Sequence, residues 1–428
     1  MKLARWMTAA VAATLTAATL TAATPAAATP AAAAAPPTAV AAPTAAIRAP
    51  GTVTRPVLSW AEARPFTPAH YLRWSGRYDA PVDDPWAPGP IRTGGRPDFV
   101  VGPGRLGSVQ EAVNAAYRAG EPSTIAILPG TYTGTVLIPA GTPPLTVYGA
   151  GRPGEVRLEF QVDATLTPAA WAALVNADGR YAEGDPAWPM FQACANRTSA
   201  TAGLCATVVW SQSPGLKLKN LTITNTLLDT VDRGTHQALA LRTDADRTQL
   251  EAMRLIGRQD TFMANADDVA RIARVSVRDS YIEGDTDFVF GRAAAVFERT
   301  RFHLVSSRKA SGGVVFAPNT DPHFPYGFLV THSLITADNG YAAAPTGYLG
   351  RAWDQGASAT GYLPGVTPNG QLVIRDSLIG AGFNAVTPWA PAATTSRPFT
   401  TSVEAGRDLD DVTTNRLWEY RNLGPDVR

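Results

Sequence analysis

Two short stretches carry acids where acids are costly. The first, "GRQDTFMAN" (residues 257–265), sets Gln259 beside Asp260. The second, "YIEGDTDFVFG" (residues 281–291), carries Glu283, Asp285 and Asp287 among aromatic and β-branched residues. Read as one buried strand closed by a glycine, it puts the three acids on one face and Ile282, Phe288 and Phe290 on the other. Three like charges in a row repel, and a carboxylate among aromatics is costly to leave unpaired. Two neighbouring carboxylates push their pKa values apart, so that one is ionised while the other holds a proton. Asp260 and Asp287 could then divide the work of nucleophile and general acid/base. Taken singly, each serves equally well as a turn or capping residue. A third stretch, "GYLGRAWD" (residues 347–354), brings Arg351 and Trp353 onto one face of an extended chain. A guanidinium can pair with a carboxylate through two hydrogen bonds, and an indole offers a flat platform for a sugar ring. In isolation the pair is also consistent with a surface arginine and a core tryptophan.

For that chemistry, segments 27 residues apart must lie side by side, about 4.8 Å between neighbouring strands. The chain offers a scaffold that does this. The segments "KNLTI", "EAMRLI", "RDSYI", "ERTRF", "THSLI" and "RDSLI" repeat a polar residue followed by a strand with an apolar end. Their terminal residues, Ile223, Leu255, Ile282, Phe302, Ile335 and Ile379, are separated by 32, 27, 20, 33 and 44 residues. One coil of a parallel β-helix takes roughly 20–25 residues, so the pattern predicts stacked coils with loops inserted between some of them. The expected fold is all-β: a right-handed parallel β-helix with one N-terminal capping helix. That helix is "GSVQEAVNAAYRAG", with Ser108 as its cap and Val109, Ala112, Val113 and Ala116 on one face. Helices are expected to be nearly absent downstream. A β-sandwich is the alternative, but the Asn-Gly and Asp-Gly pairs do not separate matched alternating strands.

Residues 1–50 have the features of a secretory signal peptide and an Ala/Pro-rich linker: Lys2 and Arg5, an apolar Ala/Thr/Leu run, then low complexity. A membrane anchor is the competing reading, disfavoured because the run is short and no comparable segment follows. Residues 51–98, rich in Pro, Trp and Arg, are read as an extension packed on the main domain, residues 99–428. Cleavage would remove two of the 37 basic residues and none of the 36 acids, leaving a net charge of −1. That excludes the basic excess of a nucleic-acid-binding protein. Cys194 and Cys205 are the two cysteines; in an exported chain they would close one short disulfide loop, the alternative being two free thiols. The five histidines show no ligand spacing, so no metal site is expected. No GxSxG elbow occurs, which disfavours a serine hydrolase.

Residues 99–428 resemble the pectin methylesterase (pectinesterase) family. The motifs that carry the resemblance run in order: "SVQEAVNAA", "ILPGTYTGTVLIP", "NLTITNTLLDTVDRGTHQALALRTDADR", "GRQDTF", "IEGDTDFVFG", "YLGRAW" and "LWEYRNLGPDV". The long N-terminal extension and the gap between the two aspartates are similar to the bacterial branch. The resemblance implies a secreted, extracellular enzyme that removes methyl esters from C6 of polygalacturonate. It implies Asp287 as nucleophile, Asp260 as acid/base, Gln259 as oxyanion donor and Arg351 as the partner of the nucleophile. Gln237, Trp353 and Phe290 fall on substrate-side positions. It implies no metal or organic cofactor, and a monomer whose partner is methyl-esterified homogalacturonan, without nucleic acid or a membrane span. Met263 stands where the family often has Tyr, Thr286 where it has Val or Ile, and Asp285 where Thr is common. Glu283 and Asp285 are expected to be solvated at the rim of the cleft. The alternatives are a non-catalytic polysaccharide-binding β-helix, an esterase or thioesterase acting on another ester, and a lyase or galacturonase sharing the scaffold.

Overall fold

A computed structural model describes residues 48–427, so the signal-peptide reading and nearly all of the linker lie outside the described residues. Apart from the short antiparallel pair Gly51–Thr52 and Arg55–Pro56, the strands stack into three sheets. The first has ten strands, from Phe99–Val101 to Arg416–Tyr420; the second has eight, from Gly130–Thr133 to Leu378–Ile379; the third has seven, from Val136–Ile138 to Tyr348–Gly350. Every pairing within these sheets is parallel, and each strand's neighbours come from the coils before and after it. This is a parallel β-helix.

The register has an identifiable cause. In the second sheet Ile223 pairs with Leu255, then Ile282, Phe302, Ile335 and Ile379 in turn. All six side chains are buried in the main core. A slip of one residue would expose the whole column, so burial fixes the pairing. Ahead of each of these six strands the chain turns through a left-handed residue, Asn220, Ala252, Asp279, Arg299, His332 or Asp376, and Arg421 repeats the corner after Arg416–Tyr420, all with φ between 47° and 55°. Several hydroxyls stabilise that corner. Ser280 Oγ accepts the Met253 N–H, Ser333 Oγ that of Thr300, and Ser377 Oγ that of Ser333, each at 3.1 Å. Buried backbone donors at the bends are thereby paired from one coil to the next.

Aromatics fill the middle of the solenoid. Phe302 meets Phe316 and Phe297 at centroid separations of 4.8 and 5.5 Å, and Phe297 meets Phe328 at 5.7 Å, all edge-on. The helix Val109–Ala119 covers the first coil. Ser108 Oγ accepts the Glu111 N–H at 3.1 Å, Gly120 ends the helix in the left-handed conformation, and the expected apolar face is buried. Leu58, Phe66, Tyr71 and Leu72 lie against Ala294, Val296, Leu329 and Trp418 on the outer face of the ten-stranded sheet.

Helices are few downstream among the described residues, as expected, and the two longest lie in one insertion. Pro168–Val175 and Trp188–Ala195 are helical and build a satellite core with Leu137 and Trp210. Thr167 caps the first of them and Pro168 occupies its first position, local signals that mark a start even inside a loop insertion. Cys194 and Cys205 are joined by a disulfide at the edge of this unit.

Phe302 is fully buried among other rings, so truncating it leaves a cavity that the stacked coils cannot close. Phe302→Ala is expected to lower unfolding stability by about 3–5 kcal/mol, measured by chemical denaturation followed by circular dichroism.

Candidate active site

The acid-rich stretch is not one strand. Tyr281–Gly284 belongs to the second sheet and Val289–Gly291 to the third, with a sharp bend between them. Asp287 sits in that bend at φ 48°, and Asp260 occupies the matching bend one coil earlier at φ 65°. Asp is among the few residues that enter this region readily, because its short polar side chain can bond locally. Gly284 and Gly291 flank the bend for steric reasons. A Cβ on Gly284 would meet Arg258 O at 2.4 Å, and one on Gly291 would meet Ala264 O at 2.0 Å.

The bend separates the three acids, each of which finds its own arginine. Glu283 pairs with Arg258 at 3.1 Å and accepts the Tyr281 hydroxyl at 2.7 Å. Asp285, expected at a solvated rim, is fully buried instead. Arg308 reaches it with Nε at 3.0 Å and Nη2 at 3.2 Å. The period-two reading put it outward; the bend turns it inward beneath the cleft. Asp287 receives two hydrogen bonds from Arg351, Nε to Oδ1 at 2.8 Å and Nη2 to Oδ2 at 2.6 Å.

Stacking brings Asp260 to Asp287. Gln259 bridges Thr286 in parallel, and Phe262 pairs with Val289, so the two aspartates lie in register on adjacent coils. They line one cleft of about 200 Å³ with Gln237, Gln259, Phe290, Ala317, Arg351, Trp353, Ala393 and Thr394. Burial, reinforced by the charge of Asp287, pushes the Asp260 pKa well above the ordinary carboxylate value. Gln237 Nε2 donates to Asp260 Oδ2 at 2.8 Å. Gln259 Oε1 accepts the His236 N–H at 3.0 Å, which leaves its amide nitrogen as the end available to a ligand. Arg351 aligns with Ala317 and Phe290 through successive pairings, two coils beyond the aspartate it holds.

Trp353 is half-buried at the cleft and meets Phe290 edge-on at 5.7 Å. Phe290 itself is only 2 % exposed; it packs with Leu239, Met263 and Ala317 and backs the tryptophan. Met263 is likewise buried there, so its difference from tyrosine changes the packing under the cleft. Among the described residues no group of three or more His, Cys, Asp and Glu is placed to hold a metal ion.

The Pectinesterase family model matches residues 192–363. Pectinesterase B of Dickeya dadantii (strain 3937) is 54% identical over 389 residues, covering 86% of this chain and 90% of that protein. The chain belongs to the pectinesterase family. It is a carboxylic ester hydrolase of that family. The structure of rice weevil pectin methyl esterase is 38% identical, with a TM-score of 0.80 over 88% of this chain and 99% of that one. Escherichia coli YbhC, whose name carries a provisional acyl-CoA thioester hydrolase label, is 43% identical over 87% of this chain and 89% of its own. Its structure superposes with a TM-score of 0.81, covering 88% of this chain and 96% of that one.

Asp260, Asp287, Gln259, Arg351, Gln237, Trp353 and Phe290, the residues singled out in the sequence, all line this cleft. Sequence reasoning missed the loop carrying Ala393 and Thr394, which bridges to Trp353 and is secured by a buried pair between Asp354 and Arg397 at 2.9 Å. It also missed Arg308 and His236, although His236 stands next to Gln237 in the "HQA" motif. Removing one member of a buried ion pair strands the other charge. Asp285→Asn is therefore expected to cost about 3–5 kcal/mol of unfolding stability, by guanidinium denaturation.

Proposed function

We propose that this protein removes methyl groups from the C6 esters of galacturonate units in pectin, with Asp287 as nucleophile and Asp260 as acid/base. The observation that carries the reading is the asymmetry of the two stacked aspartates: one is paired twice with Arg351, the other is buried with a raised pKa. That is the division of states that nucleophilic ester cleavage needs.

In the proposed reaction an Asp287 oxygen attacks the ester carbonyl carbon. The oxyanion of the tetrahedral intermediate accepts from the amide nitrogen of Gln259, with Gln237 alongside. As the C–O bond breaks, Asp260 gives its proton to the departing methoxide, which leaves as methanol. The acyl-enzyme is a mixed anhydride. Water opens it while Asp260 takes one of the water's protons, freeing the Asp287 carboxylate and a galacturonic acid whose remaining proton passes to solvent. Trp353, backed by Phe290, offers an apolar face to a neighbouring sugar ring. The N-terminal apolar run and the disulfide support an extracellular setting for this work. No helix among the described residues is long and apolar enough to cross a membrane.

A thioester or another ester is the competing substrate, favoured by the YbhC relative. Methanol release from highly methylated pectin, set against hydrolysis of an acyl-CoA thioester, decides between them; turnover of the thioester alone sinks the pectin reading.

Asp287→Asn and Asp260→Asn should each abolish most methanol release while leaving the circular dichroism spectrum unchanged, and Gln259→Ala should lower kcat on the order of 10²–10³. The pH dependence follows from the sign of the Asp260 shift. Its acid form persists above the ordinary carboxylate range, so kcat should hold there and decline as pH rises through the raised pKa. A pH–kcat profile that rises through this region would contradict the assignment of Asp260 as proton donor.

A further inference from the structure

Beside the two carboxylates lies a charged cluster that the reaction above does not use. His236 is held from both sides: its Nδ1 is 2.7 Å from Asp163 Oδ2, and its Nε2 is 3.0 Å from Asp232 Oδ1. An ionised carboxylate only accepts, so both contacts are satisfied together by the imidazolium, which donates from both nitrogens. The hydrogen bond to Asp163, above all, raises the His236 pKa, with Asp232 adding to it against the desolvation of the ring. Behind this loop stands Arg308, whose Nη1 donates to Gly234 O at 3.0 Å while its other nitrogens grip Asp285.

The backbone that this bracket holds is the one that touches the cleft. The His236 N–H donates to Gln259 Oε1 at 3.0 Å, and the next residue, Gln237, donates to Asp260 from its side chain. The Gln237 carbonyl in turn accepts the Ala164 N–H at 3.0 Å, one residue beyond Asp163. The clamp thus ties residues 163–164 to residues 236–237 by side chain and backbone together.

We propose that His236 is a positioning residue: the Asp163–His236–Asp232 bracket fixes the chain at residues 236–237, so that Gln259 turns its amide nitrogen into the cleft and Gln237 stays on Asp260. The inference rests on the functional reading above, in which Gln259 stabilises the oxyanion. A donor misplaced by about an ångström forfeits much of its effect on the transition state while ground-state binding survives. Partly exposed ion pairs add little to folding, so the fold stands without the bracket.

The test uses the full chain and methanol release from highly methylated pectin, with kcat and KM measured separately. His236→Ala should lower kcat on the order of tenfold to a hundredfold, with KM and the melting temperature held. Because it acts through Gln259, the double variant with Gln259→Ala should be no slower than Gln259→Ala alone. Asp232→Ala, at an exposed position, removes one arm of the bracket and should lower kcat in the same direction. Wild-type kcat in His236→Ala or in Asp232→Ala, or losses that multiply in the double variant, overturns the proposal. A wild-type protein that releases no methanol overturns the functional reading, and this inference with it.

Discussion

Two carboxylates on adjacent coils are the constraint around which the cleft is built. Parallel stacking puts Asp260 and Asp287 in register, and a parallel β-helix has no means of moving them apart short of slipping the core. Like charges this close in a partly buried site repel far more strongly than in water. The structure resolves the conflict unevenly. Arg351 directs both of its side-chain hydrogen bonds to Asp287, while Asp260, deeply buried, takes one amide donor from Gln237. Two chemically identical side chains thereby acquire different states, and the proposed reaction uses that difference.

The same logic runs along the whole acid stretch. Glu283, Asp285 and Asp287 take Arg258, Arg308 and Arg351 as partners, and the three arginines come from three places in the chain. Arg258 stands on the preceding coil, Arg308 on the loop after the following strand, and Arg351 two coils further on. The Arg258 and Arg308 pairs therefore tie neighbouring coils together, and the Arg351 pair spans two. The Arg308 pair does most in this respect, because the same guanidinium holds the loop on which His236 sits. Charge neutralisation beneath the cleft and placement of the groups that line it are one network.

The bends at Asp260 and Asp287 also explain why this chemistry falls at a corner of the solenoid and not on a sheet face. On a flat strand, alternate residues would present all three acids together. A left-handed residue breaks the alternation, sends Asp285 inward and Asp287 into the cleft, and lets Phe288 and Val289 enter the core in succession. Such a backbone costs about 1–3 kcal/mol where it is not relieved, and here the stacked neighbours on either side hold it in place.

The sequence by itself determined the coil architecture and the identity of most of the cleft residues. The column from Ile223 to Ile379 was legible because burial of one face imposes a period and a register that side-chain type records directly. The helix at Val109–Ala119 was legible because its cap and its apolar stripe are local. The tertiary structure alone decided where the acids point, which arginine each one takes, and how the loops carrying His236, Arg308 and Thr394 close on the cleft. A bend depends on one residue's φ, which the alternation of side chains does not encode. An ion pair between residues 64 positions apart forms only when intervening coils have folded to bring both ends to the same place.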